Sequence, residues 1–207
     1  MTLLFLVRHG DNESLRKGIL PGQVPGIPLN DAGRDQAKNI ARALNPLPIC
    51  AVYSSPLERA VETAAPLARK KGLEVQIVPG LSDPDTGEWT GISLKSAHRL
   101  KGLWQVIQTT PSHFRFPGGE SFNEVQMRVI SALEDISHSH PGKKMVGVFF
   151  HADPIKLTLA HYLGIPLDGF QKLVIFPGSV SILNLDRKGA HLIAMNLVPP
   201  FSLPSLK

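Results

Sequence analysis

Three short apolar runs constrain this chain more than any other feature: Leu3–Val7, Ile49–Tyr53 and Met145–Phe150. Runs of this length and uniformity read as strands buried on both faces, as in a sheet covered by helices. Each leads into polar residues: Arg8-His9-Gly10, Ser54-Ser55-Pro56 and His151-Ala152-Asp153-Pro154. In a parallel sheet such strand ends share one edge, and that edge is where ligands of open α/β sheets bind. Gly10 is read as the residue that lets the backbone turn sharply after His9.

Helical signals separate the strands. Residues 11 to 30, with Gly18, Pro21, Gly22, Pro25, Gly26 and Pro28, read as an extended loop leaving the first strand end. Asn30 or Asp31 then caps a helix whose Ala37, Ile40, Ala41 and Leu44 form one apolar stripe. Pro46 and Pro48 stop it. Pro56 opens a second helix that carries Arg59 in its first turn and runs to about Lys71, where Gly72 ends it. Glu74–Val78 alternates like a strand. Residues 81 to 119 are the least regular third, with turns at 83–87 and 117–119 and helical character from 93 to 108. Phe122, Val125, Val129, Leu133 and Ile136 mark a long amphipathic helix, with Lys143 and Lys144 on its C-terminal side. A further helix follows His151 through Tyr162 and stops at Gly164. Ser179–Leu185 and His191–Leu197 read as two closing strands, an antiparallel hairpin turning at 186–189. The expected fold is one α/β domain over residues 1–207: a three-layer α/β/α arrangement around a mostly parallel, mixed sheet.

Composition narrows the function classes. With 43% apolar and 19% charged residues, the 207-residue chain resembles an ordinary globular protein. No apolar run approaches the ~20 residues of a membrane span, and the N-terminal run has neither a basic flank nor a cleavage site, so no signal peptide is expected. Cys50 is alone, which precludes an internal disulfide and fits a cytoplasmic location. The net charge of +5 is spread over small groups (Arg16-Lys17, Arg69-Lys70-Lys71, Lys143-Lys144, Arg187-Lys188) without interleaved aromatics. No nucleic-acid or membrane partner is expected from that pattern. Part of the excess charge is expected to serve a small anionic partner, with a homodimer as an assembly left open.

The chemistry collects at the shared sheet edge. Arg8 and Arg59 supply planar forks that match phosphate oxygens, and His9 and His151 supply a nucleophile and a second donor. In-line attack, charge stabilisation and an acid for the leaving alcohol are what phosphoryl transfer needs, without a metal or other cofactor. A metal on His9, His151 and Asp153 would be opposed by the neighbouring arginines. No Cys-x5-Arg frame surrounds Cys50, since Pro56 stands where the arginine would be, and Cys50 reads as a buried strand residue. Asp83-Pro84-Asp85-Thr86 does not fit an aspartyl nucleophile at the end of a buried strand, because Pro79-Gly80 precedes it. No Gly-rich phosphate loop ending in Lys-Ser/Thr and no His-Glu-x-x-His helix is present.

These landmarks resemble the histidine phosphatase superfamily, which includes the cofactor-dependent phosphoglycerate mutases. Arg8-His9-Gly10, Pro28-Leu29 with Gly33 and Gln36-Ala37, and Ser54-Ser55-Pro56-Leu57 with Arg59-Ala60 and Thr63-Ala64 occur in the family's order. Gly87-Glu88-Trp89-Thr90-Gly91, Pro117-Gly118-Gly119-Glu120-Ser121 and His151 complete it. The resemblance implies a phosphoglycerate mutase-like fold and a phosphohistidine on His9. Arg8, Arg59 and His151 would hold the phosphoryl oxygens, and a carboxylic acid, here Asp83, would protonate the leaving oxygen. It places Asn12, Gly22, Gln23 and Ala152 in the substrate-binding set. A second hydrogen bond is expected to fix the tautomer of His9.

Several positions depart from that pattern. Asp83 stands for the usual glutamate and is one methylene shorter, with Asp85 and Asp153 as rivals. Leu15 stands where a phosphate-contacting asparagine is common, and Asn12 is the substitute. Ala152 replaces a glycine, and Phe150 a small hydroxyl residue, so with Phe149 they are expected to make an apolar pocket wall. After Trp89 only Lys95, Arg99, Lys101 and Arg115 are basic, with no arginine pair, and this favours a phosphomonoesterase over a small-molecule phosphomutase. A catalytically weak phosphate-binding module is the reading from another class. Of the other histidines, His138 and His140 are expected at the surface near a helix end, and His98, His113, His161 and His191 show no partner pattern. Trp89 and Trp104 read as core or pocket wall.

Overall fold

The computed structural model describes residues 1–99, 101–186 and 189–201, without the side chains of His98 and Lys101. The strands are β1 (Thr2–Arg8), β2 (Ile49–Ser54), β3 (Val75–Ile77), β4 (Lys144–Phe150), β5 (Val180–Asp186) and β6 (Gly189–Leu197). The helices are α1 (Glu13–Arg16), α2 (Asp31–Leu44), α3 (Glu58–Lys71), α4 (Leu94–Arg99), α5 (Lys101–Thr109), α6 (Phe122–Ser139) and α7 (Ala152–Tyr162). One sheet orders the strands β3-β2-β4-β1-β5-β6. Strands β3, β2, β4 and β1 are parallel, while β5 runs antiparallel to β1 and β6 antiparallel to β5. The fold is the expected mixed three-layer α/β arrangement.

Strand alternation builds the layers. Leu4 and Leu6 of β1 pack with Val129, Leu133 and Ile136 of α6 and Ile155 and Leu159 of α7. Leu3, Phe5 and Val7 point the other way, onto Ile40, Ala41 and Leu44 of α2 and Ala64 and Leu67 of α3. Local signals act where expected. The Asn30 side chain caps α2, Gly72 ends α3 at a positive φ of 64°, and Ser121 and Glu124 close a capping box on α6.

Three readings need correction. Residues 11 to 30 include one helical turn, α1, because the Asn12 side chain accepts from the Leu15 amide. Helical character expected from 93 to 108 is found in α4 and α5; Leu100 lies outside the described residues, as do Arg187 and Lys188 of the expected final turn. Cys50 is exposed rather than buried: the β2–β4 register shifts between Ile49 and Ala51 and turns that residue outward. Gly10 has no left-handed backbone. Its glycine is required by contact, since a Cβ there would lie 2.7 Å from the Gly33 carbonyl oxygen in the first turn of α2.

The stretch that is irregular in sequence contributes Trp89, Ile107, Phe114 and Phe116 to the core. Trp89, Phe114, Phe116, Phe122 and Phe170 form a third apolar cluster, with Phe114 and Phe116 edge to face at 4.9 Å. Trp89, Phe116 and Phe122 of this cluster line the cavity that also holds Arg8 and His9. Among the described residues no helix is long and apolar enough to cross a membrane.

Candidate active site

The parallel strands deliver their polar ends to one place. The His9 amide donates to the Phe150 carbonyl at 2.9 Å and the Ser55 amide to the Phe149 carbonyl at 2.9 Å, so the chain beyond β1, β2 and β4 stays in register. His9 and His151 come within 5.2 Å, ring centroid to centroid. Both are almost wholly buried, at 3% and 1% exposure, as is Arg59 at 1%.

The tautomer of His9 is set by the backbone. Its Nδ1 lies 2.7 Å from the Gly10 carbonyl oxygen, which can only accept, so Nδ1 carries the proton and Nε2 the lone pair. The acceptor is itself held, because the Gly10 amide donates to Thr63 Oγ1 at 3.0 Å and that hydroxyl donates to the Arg59 carbonyl. Opposite, His151 Nε2 pairs with Ser55 Oγ at 2.8 Å, leaving Nδ1 toward the Asp83 carboxylate, 3.7 Å away. Arg59 Nη2 donates to Asp83 Oδ2 at 2.9 Å and to the Gly22 carbonyl at 3.0 Å. Arg8 Nη1 donates to the Ile175 carbonyl. Four buried nitrogens of this cluster have no hydrogen-bond partner among the described residues: Arg8 Nε, Arg59 Nε, Asn12 Nδ2 and His151 Nδ1. Buried polar groups are normally satisfied, so four together mark a place suited to an oxyanion.

Burial sets the protonation states. Desolvation, then His151, Arg8 and Arg59, drives the His9 pKa well below its ordinary 6.5. Desolvation, then Arg59 and Arg8, does the same to His151. Both imidazoles are therefore neutral at pH 7, and the acidic limb of kcat/KM is expected below pH 6.5. The unfolded chain takes up protons on these histidines near pH 6.5 while the native chain does not, so stability falls as pH falls through that window. Each histidine contributes a slope of up to about 1.4 kcal/mol per pH unit. Urea unfolding at pH values on either side of that window checks this, and His9→Asn is expected to remove its share of the slope.

A cavity of about 410 Å³ opens above the cluster, lined by Arg8, His9, Asn12, Asp83, Ala152 and Asp153 at its polar end. Leu15, Ile19, Leu20, Trp89, Trp104, Ile107, Phe116 and Ile175 supply apolar walls, and Lys156 and Gln171 a further polar group. Lys156 is already engaged, with Asp153 at 3.1 Å and Gln171 at 3.2 Å.

Arg8, His9, Asn12, Arg59, Asp83 and His151 thus come together, and Ala152 lines the cavity at the first turn of α7. Gly22 and Gln23 do not line it. The Gly22 carbonyl receives Arg59, and exposed Gln23 donates to the Asp83 carbonyl. Phe149 and Phe150 are core residues on opposite faces of the sheet and form no pocket wall, because strand alternation buries both before the chain reaches His151. Asp85 is drawn away from the site: its carboxylate accepts the Gly87 amide within the turn. His140 is half-buried rather than at the surface, with its Nε2 2.9 Å from the Tyr53 hydroxyl, and burial, then Lys144, lowers its pKa. Sequence reasoning assigned no role to Ser55 or Thr63. Both belong to recognisable motifs, but what they contact is decided by the fold.

The geometry defines a class first: an α/β protein with a neutral, tautomer-fixed histidine beside a buried oxyanion site. The profile of the histidine phosphatase superfamily (branch 1) matches residues 4–198. Phosphoserine phosphatase 1 of Hydrogenobacter thermophilus is 28% identical over 207 aligned positions, covering 95% of this chain and 93% of the relative. The adenosylcobalamin/alpha-ribazole phosphatase of Escherichia coli is 26% identical, covering 93% and 95%. Bacillus stearothermophilus YhfR superimposes with a TM-score of 0.87 over 94% of this chain and 96% of its own, at 24% identity, which shows the shared fold. The chain belongs to the histidine phosphatase superfamily and is a phosphatase of the phosphoric monoester hydrolase class.

Proposed function

We propose that this enzyme hydrolyses phosphate monoesters of small alcohols with an apolar or aromatic body, by a metal-independent route through a phosphohistidine on His9. The observation that carries the reading is the cluster of four buried nitrogens, without a hydrogen-bond partner among the described residues, beside a His9 whose Nε2 holds a lone pair.

In the first step His9 Nε2 attacks phosphorus and the P–O ester bond breaks. Arg8, Arg59, Asn12 and His151 donate to the phosphoryl oxygens, and the imidazolium formed is stabilised by the Gly10 carbonyl. The electron pair of the broken bond stays on the leaving oxygen, which takes a proton from the Asp83 carboxyl. Asp83 stands against Arg59 and beside His151, where a phosphoryl oxygen also belongs. Two oxyanions against the same donors are accommodated by a proton between them. In the second step the Asp83 carboxylate takes a proton from water, the water oxygen attacks phosphorus, and the P–N bond breaks to restore the His9 lone pair. Asp153 is tied to Lys156 and does not share these donors.

Relatives named for phosphoserine and for alpha-ribazole share the phosphomonoester and differ in the alcohol, so the alcohol is read from this chain's own cavity. Its walls are apolar, and Lys156 is engaged by Asp153 and Gln171. That favours hydrolysis of apolar esters over a mutase that must retain a carboxylate-bearing substrate. The reading takes residues 1–207 as one catalytic unit acting in the cytoplasm, with no nucleic acid or membrane in the chemistry. Hydrolysis of 4-nitrophenyl phosphate is expected to continue at full rate in EDTA. A panel of phosphorylated metabolites, scored for free phosphate and isomerised product, is expected to yield free phosphate. Loss of activity in EDTA, or isomerisation without release, contradicts the proposal.

A further inference from the structure

Arg128 lies on α6, outside the phosphoryl site, yet every one of its five N–H groups is committed. Nε and Nη2 fork onto the Glu120 carboxylate at 2.7 and 2.9 Å. Nη1 donates to the carbonyls of Gly80 (2.9 Å) and Ser82 (2.8 Å), and Nη2 to that of Asp83 (3.0 Å). Glu120 in turn accepts the Asp85 amide at 2.8 Å, and its own amide donates to the Asp85 carbonyl at 2.9 Å. One ion pair therefore grips the backbone at residues 80, 82, 83 and 85, the segment that carries the Asp83 carboxyl into the cavity. Four convergent backbone contacts from one guanidinium–carboxylate pair exceed what a surface salt bridge needs, and such an isolated pair contributes little to stability.

We infer that Arg128, with Glu120, is a positioning residue for the leaving-group acid, holding the 80–85 backbone close enough for an aspartate to reach where a longer acid would otherwise be needed. The inference rests on the assignment of Asp83 as that acid. An aspartate has two side-chain torsions and little reach, so a displacement of its backbone by an ångström is not recovered by the side chain. Proton donation requires hydrogen-bond distance to the leaving oxygen, whereas attack by His9 does not involve this segment. Loosening the grip is therefore expected to slow esters that need the acid and to spare those that do not.

The test compares 4-nitrophenyl phosphate, whose leaving group departs without protonation, with 2-phenylethyl phosphate, whose alkoxide does not. Asp83→Asn is expected to lower kcat/KM for the alkyl ester about 100-fold or more and for the aryl ester less than tenfold. Arg128→Lys keeps the charge but loses the fork, and is expected to lower the alkyl rate about tenfold with the aryl rate within about twofold. Glu120→Gln, a milder change that preserves shape, is expected to skew the ratio in the same direction and covers the case in which Arg128→Lys folds poorly. Adding Asp83→Glu to Arg128→Lys is expected to recover several-fold of the alkyl rate through its extra methylene. A skew in Asp83→Asn without one in either clamp variant overturns the positioning role and leaves the acid assignment standing. No skew in Asp83→Asn overturns the acid assignment itself. Equal losses on both esters in the clamp variants would show a merely structural role.

Discussion

His9→Asn is expected to retain less than about one ten-thousandth of the wild-type kcat toward 4-nitrophenyl phosphate, a scale typical of losing a covalent nucleophile. The size follows from the position of the ring. Nδ1 is held by the Gly10 carbonyl, and the group able to form a bond to phosphorus at the neighbouring edge is Nε2. His151 cannot take over, because its Nε2 is engaged by Ser55 and its Nδ1 faces Asp83. Phosphate binding is expected to survive, since Arg8, Arg59, Asn12 and His151 are untouched. Steady-state kinetics with phosphate as competitive inhibitor separates the two. Near-normal turnover in His9→Asn would place the nucleophile elsewhere.

Arg59→Met is expected to lose about 10²- to 10³-fold in kcat/KM, on the order of 3–4 kcal/mol of transition-state stabilisation as for other preorganised donors. Arg59 is among the most deeply buried large side chains, and its Nη2 serves both Gly22 and Asp83. Removing it leaves the Gly22 carbonyl and the partly exposed Asp83 carboxylate without this donor, so the melting temperature is expected to fall as well. Arg59→Lys is expected to restore little activity, because a point charge on a flexible stem cannot reproduce the planar fork. Measured kcat/KM and thermal unfolding for both variants check this. A Met variant within tenfold of wild type would remove Arg59 from the transition state.

Much of this was legible in the sequence for a physical reason. Strands buried on both faces must be uniformly apolar, so Leu3–Val7 and Met145–Phe150 declared themselves, and their polar successors had to gather at one edge. Arg8, His9 and His151 are readable because a polar or charged side chain at a buried strand end is costly unless a ligand or partner satisfies it, and Arg59 because it opens the helix that follows such a strand end. The rest was hidden in contacts that leave no trace in residue type. Gly10 serves His9 through its carbonyl, which every residue possesses, and its own identity answers to Gly33 across the loop. Arg128 sits on the polar side of an amphipathic helix and looks like any solvated arginine until its backbone partners are seen. The apolar walls are assembled from separate stretches, Leu15, Ile19 and Leu20, then Trp89, Trp104, Ile107 and Phe116, then Ile175, so no single sequence period announces them. Phe149 and Phe150 stand next to His151 in sequence, yet strand alternation turns both into the core.

The central claim is that the phosphoryl group passes through Nε2 of His9. Enzyme mixed rapidly with 4-nitrophenyl phosphate and quenched in alkali tests it most directly, with phosphorus–nitrogen correlated NMR of the histidine-labelled protein to locate the group. The expected result is a base-stable, acid-labile phosphoenzyme, one phosphoryl group per chain on Nε2 of His9, absent from His9→Asn. Turnover without a phosphohistidine, or a phosphoryl group on Nδ1 or on another residue, would contradict it.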